Sequence, residues 1–144
     1  MEEISKAINE KKITKVFENA LFYAIAVTGI ISGLSKNSSQ TALAHALYYH
    51  VRTDFCDEAR NSLHGEIVGV GMIVQLAYNG LEYDFMIKDL EDMELPVCLS
   101  DMGVEPNEKN LQSIINWLYD GVKAEGEEET IKQRLENAVR VICK

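Results

Sequence analysis

Two histidines stand inside apolar stretches: His45 in TALAHALYYH and His64 in NSLHGEIVGV. Neutral imidazole nitrogen is a good ligand for zinc or iron(II), so a pair brought to one point would be part of a metal site. A tetrahedral zinc site keeps at least three protein ligands, and no third donor is evident beside these two. On spacing alone, ordinary core or surface histidines are the better reading. His45 is surrounded by Ala42, Leu43, Ala44, Ala46 and Leu47, so it should be buried. An imidazole buried without a hydrogen bond costs on the order of 1–3 kcal/mol, so it needs a neighbour or a ligand. His50 lies five residues further, about 140° round a helix, and reads as structural or exposed. Tyr48 and Tyr49 read as packing, although either hydroxyl could reach a polar pocket. A small hydrolase pairing Cys56 with His45 or His50 is disfavoured, because Asp54, Asp57 and Glu58 oppose formation of the thiolate.

Positioning such a pair requires two helices. A helix holding Thr41 to about Val51 carries His45, and Ser38 or Ser39 can cap it. The loop TDFCDEARNS leads to a second apolar helix, Leu63 to Tyr78, which Asn61 or Ser62 could cap and Asn79-Gly80 closes. A connection of about ten residues lets the two fold back antiparallel with both imidazoles near one point. Gly65, Gly69 and Gly71 lie in the second helix. A glycine costs up to about 1 kcal/mol relative to alanine in a helix interior, which suggests that a neighbouring helix approaches that backbone closely.

The rest of the chain supplies the bundle. Ile13 to Leu34 has helical periodicity, becomes apolar on every side near its end, and should run into the core. LEYDFMIKDLEDME carries Leu81, Phe85 and Leu90 among acids and stops before Pro96. Pro106 is expected in the first turn of a further helix with Leu111, Ile114, Ile115, Leu118 and Tyr119 on its apolar face. A last helix runs from GEEET to Cys143 with Ile131, Leu135, Ala138, Val139 and Ile142 inward. Its acids at 127–129 suit the positive end of the helix dipole, and Lys144 the other. There is no strand-like alternation and no internal repeat, so the expected fold is all-α, a bundle of about six helices.

Composition bounds the function. With 144 residues, 47% of them apolar and only 2 prolines, the chain suits one globular domain. A net charge of −9 without a Lys/Arg stripe makes nucleic acid an unsuitable partner. Cys56, Cys98 and Cys143 are widely spaced without CxxC, which fits reduced thiols in a cytoplasm. The run Leu21 to Leu34 is shorter than the roughly 20 residues that cross a bilayer, so no membrane partner is expected.

Taken together, SGLSKNSSQTALAHAL at 32–47, LHGEIVGVGMIVQLAYNG at 63–80 and LPVCLSDMGV at 95–104 resemble the C-terminal helical domain of glycerol dehydrogenases. That domain belongs to the wider iron-containing alcohol dehydrogenase and dehydroquinate synthase-like group. The order and separations agree over nearly the whole chain; the first two motifs together are fairly specific, the third alone weak. The resemblance implies that His45, in the AH motif, and His64, in the HGE motif, match two metal-ligating positions. The metal, zinc or iron(II), polarises the substrate hydroxyl while hydride passes to a nicotinamide cofactor.

The departures are as informative. In the family an N-terminal Rossmann-like domain binds NAD(P) and adds an aspartate ligand, whereas this sequence holds no glycine-rich phosphate loop and no βαβ pattern. The expected organisation is therefore a single helical metal-site domain over 1–144, inactive alone and weak or empty in metal. NAD would enter only through a missing domain or a separate Rossmann-like chain, with a small alcohol as substrate of the complete enzyme. Tyr48 stands where many glycerol dehydrogenases carry a second histidine, which bears on the substrate. The alternative is a non-enzymatic helical module that self-associates through surface which a missing domain would cover.

Overall fold

A computed structural model describes residues 2–27, 30 and 42–143. Among them are seven α-helices and no strand, the all-helical architecture expected. The chain divides into two compact units, 1–39 and 40–144. No helix among the described residues is long and apolar enough to cross a membrane.

In the first unit, α1 (Glu2–Asn9) turns through Lys11, at φ +52°, into α2 (Lys15–Phe22). Thr14 caps α2 by accepting a hydrogen bond from the Phe17 N–H at 3.2 Å. A π-helical turn follows at Tyr23–Val27. The expected inward course of this segment is corrected: α2 has no buried residue, and Leu21, Phe22, Tyr23 and Ile25 are exposed. An apolar sequence on every side gives no polar face to mark which side packs, so periodicity could not say whether anything covers it. Most of the remaining run to Leu34, and the proposed caps Ser38 and Ser39, lie outside the described residues.

The second unit holds α3 (Leu43–Asp54), α4 (His64–Tyr78), α5 (Asp84–Asp92), α6 (Glu108–Val122) and α7 (Glu128–Arg140). Helix α3 packs on α4 and α6, and α7 packs on α4 and α6, so four helices close a ring while α5 leans on α4. Inside the ring lie Leu47, Val51, Ile67, Val74, Leu118 and Leu135, all fully buried. Each arrives by helical spacing of apolar residues; the five inward residues expected of the last helix are all buried, but α7 ends at Arg140 rather than Cys143, so Ile142 lies beyond it.

The helix ends follow local chemistry. Gly80, at φ +68°, ends α4 as expected, with its N–H on the Ala77 carbonyl and that of Leu81 on Leu76, a Schellman closure. Pro106 is corrected: it precedes the N-cap Asn107 and lies outside the first turn of α6, because the Asn107 side chain, which accepts from the Asn110 N–H at 2.9 Å, is the better cap. Helix α5 ends in the same Schellman pattern as α4 but with Glu94 at φ +57° in the left-handed position. A side chain there costs about 1–2 kcal/mol against glycine, partly offset by glycine's greater unfolded entropy. Glu94→Gly is therefore expected to raise stability by about 0.5–1 kcal/mol, read as an increase in the thermal midpoint.

Candidate functional site

His45 is in the first turn of α3, and His64 is the first residue of α4. Three contacts fix how these helices meet. A Cβ on Gly71 would stand 2.6 Å from the Ala44 carbonyl oxygen, so α3 lies directly on the α4 backbone there. The Gln75 side-chain oxygen accepts from the Leu43 N–H at 2.7 Å. His64 at the opposite end of α4 meets Tyr48, their ring centroids 4.3 Å apart and edge to face. Higher numbers on α4 thus meet lower numbers on α3, and the pair is antiparallel. Of the three glycines, Gly71 and Gly69 face close neighbours, the latter Leu90, whereas nothing lies within 4 Å of a Cβ on Gly65.

The loop between the helices is held by Arg52, whose guanidinium donates to the carbonyls of Ala59, at 3.3 Å, and Ser62. Neither Asn61 nor Ser62 caps α4. The cap residue is Leu63, whose N–H donates to the Glu66 carboxylate at 2.7 Å. Glu66 therefore satisfies a helix start rather than pointing a ligand outward.

This frame brings the two imidazoles together, with ring centroids 5.7 Å apart and planes tilted by 53°. A ring nitrogen is about 1.2 Å from its centroid and a zinc–nitrogen bond about 2.0–2.1 Å, so imidazoles sharing a tetrahedral ion have centroids about 5 Å apart. The observed separation of 5.7 Å is somewhat longer than that. Among the described residues no cluster of three or more His, Cys, Asp or Glu side chains accompanies the pair. Burial of His45 is corrected: both rings are exposed, because α3 packs through Leu43, Ala44, Ala46, Leu47, His50 and Val51 and leaves His45 beside that stripe.

The buried histidine is His50, at 1% exposure. Its Nε2 lies 3.2 Å from the Ser113 hydroxyl and its ring is stacked on Trp117 at 5.0 Å. Its Nδ1 has no hydrogen bond, with the Asp54 carboxylate 3.5 Å away. Burial holds the imidazole below its ordinary value of 6.5, with Asp54 opposing, so it is neutral at neutral pH. Sequence reasoning missed Ser113 and Trp117. The burial itself was readable, since 43, 46, 47, 50 and 51 recur at the spacing of one helix face. Cys56 is exposed and has no part in these contacts to His50.

No protein-family model matches the chain, and no solved structure matches it at a significant level. Over 104 residues it is 24% identical to the glycerol-1-phosphate dehydrogenase [NAD(P)+] of Thermococcus kodakarensis, which covers 72% of this chain and 28% of that protein. The match thus spans less than a third of its curated relative's length. Over most of its own length, this helical chain is similar to a part of a dehydrogenase.

Proposed function

We propose that the chain is the metal-site part of an NAD-dependent dehydrogenase acting on glycerol, a related polyol or another small alcohol. The observation that carries this reading is the approach of His45 and His64 to 5.7 Å on two helices whose packing leaves little freedom. The match to a dehydrogenase named for a glycerol phosphate supports it, as does the resemblance in the AH and HGE motifs.

His45 and His64 would hold a zinc or iron(II) ion, which when bound would supply Lewis-acid polarisation of a substrate hydroxyl. The exposed rings open toward a surface where another chain segment or subunit can stand. Tyr48, packed edge to face with His64, restrains that ring's orientation. The described residues contain no βαβ layer for a nicotinamide, so cofactor and remaining ligand come from outside them. Alone, the chain is inactive as a dehydrogenase and binds metal weakly, because two neutral ligands leave the cation's charge uncompensated.

Zinc titration of the chain, followed by competition with a chromogenic chelator, tests this reading. Binding in the micromolar range or weaker is expected, and His45→Ala or His64→Ala should each weaken it by on the order of tenfold or more. Submicromolar binding that survives His45→Ala would show the assignment to be wrong.

A second reading, a self-associating helical module, is favoured by Phe22, Tyr23 and Ile25, which are 59%, 63% and 72% exposed. It predicts a light-scattering mass of at least two chains in dilute solution. A mass of one chain removes its support.

A further inference from the structure

Ser113, His50 and Asp54 stand in series on two helices of the ring. The Ser113 hydroxyl is 3.2 Å from His50 Nε2, and His50 Nδ1 is 3.5 Å from the Asp54 carboxylate. Nδ1 is enclosed and has no hydrogen-bond partner, an unusual state for a polar atom in a packed interior. A proton on Nδ1 faces Asp54 and leaves the Nε2 lone pair to accept from serine. Trp117, lying nearly parallel to the imidazole at 25°, fixes the ring plane, and Phe55 meets it edge-on. The serine end opens on a cleft of about 430 Å³ lined by Asp54, Phe55, Glu58, Lys109, Asn110 and Ser113.

We propose that this cleft is a second chemical site, in which Ser113 is the nucleophile, His50 its general base and Asp54 a positioning carboxylate, acting on small uncharged carboxylic esters. Nucleophile, base and orienting group in this sequence are recognised by geometry and role, whatever their order in the chain, and such contacts are looser before substrate binds. The charges on the wall select the substrate: Asp54 and Glu58 repel an anionic ester, while Lys109 is the positive group available to a developing oxyanion.

The reaction balances with water as the only co-reactant. The Ser113 oxygen attacks the ester carbonyl as its proton passes to His50 Nε2; the carbon–alkoxy bond breaks and the alkoxide leaves with that proton. Water then gives a proton to Nε2 and attacks the acyl carbon, and Ser113 leaves with the proton restored to its oxygen. The base must be neutral, and burial assists by holding His50 below 6.5. The groups facing the imidazole are Asp54 and Phe55 from the α3 side and Ser113 and Trp117 from α6, with Glu58 and Lys109 bordering the cleft.

The test uses the full chain with p-nitrophenyl acetate and a fluorophosphonate probe. One covalent adduct per chain is expected, located on Ser113 by peptide mass spectrometry, which separates it from acylation of surface imidazoles. Ser113→Ala should abolish the adduct and slow ester hydrolysis by on the order of a hundredfold. Asp54→Asn should lower kcat more than it raises KM. It should also move the acidic limb of the pH profile downward, because the carboxylate is what raises the basicity of His50. Absence of a Ser113 adduct, or a Ser113→Ala chain with native far-ultraviolet dichroism that hydrolyses the ester at the wild-type rate, overturns the proposal.

Discussion

Gly71→Ala is expected to cost the protein about 3 kcal/mol of folding free energy. The new methyl carbon would lie 2.6 Å from the Ala44 carbonyl oxygen and 2.7 Å from its Cα. Both are backbone atoms, so no side chain can swing aside, and α3 must separate from α4 along the seam that positions His45 and His64. Urea denaturation checks this: with a slope of about 1.5 kcal/mol per molar, the midpoint should fall by roughly 2 M. Gly65→Ala is the matched comparison, since its Cβ meets nothing within 4 Å and the exchange should be neutral or slightly stabilising. If the two variants unfold together, the close-approach argument fails.

Leu47→Ala is expected to be at least as damaging, at about 3–4 kcal/mol. Leu47 is fully buried two residues after His45, on the face of α3 that enters the four-helix core. Removing its branched end forfeits apolar burial and leaves a cavity in the core between α3 and the helices packed on it, α4 and α6. Against a total stability of about 5–15 kcal/mol this is a large share. The zinc affinity assigned to His45 and His64 should decline with it if the helix loosens. Calorimetry of the variant, compared with Tyr49→Ala on the exposed side of the same helix, separates core loss from loss of aromatic surface.

Much of the architecture was legible in the residues. Helices α6 and α7 declare themselves through apolar positions three and four apart, and Ile131, Leu135, Ala138 and Val139 on α7 are all buried. The end of α4 is written in Asn79-Gly80, because glycine enters the left-handed region without strain. Legibility failed where a choice depended on a partner far along the chain. His45 lies in the more apolar stretch, yet it is His50 that shares a helix face with Leu43, Ala46, Leu47 and Val51 and is enclosed. Ser113 reaches His50 across 63 positions, a distance over which local pattern carries no information. The convergence of His45 and His64 was foreseeable because a short loop between two helices leaves few alternatives to folding back.

The hydrogen bond from the Leu43 N–H to Gln75 means that the opening turn of α3 is completed by a residue 32 positions later. Short helices excised from their surroundings are marginal in water. Any fragment that carries the His45–His64 pair must therefore keep α3 and α4 together, because α3 severed from α4 loses the amide that completes its first turn. Exchanging either helix between homologous proteins requires exchanging both.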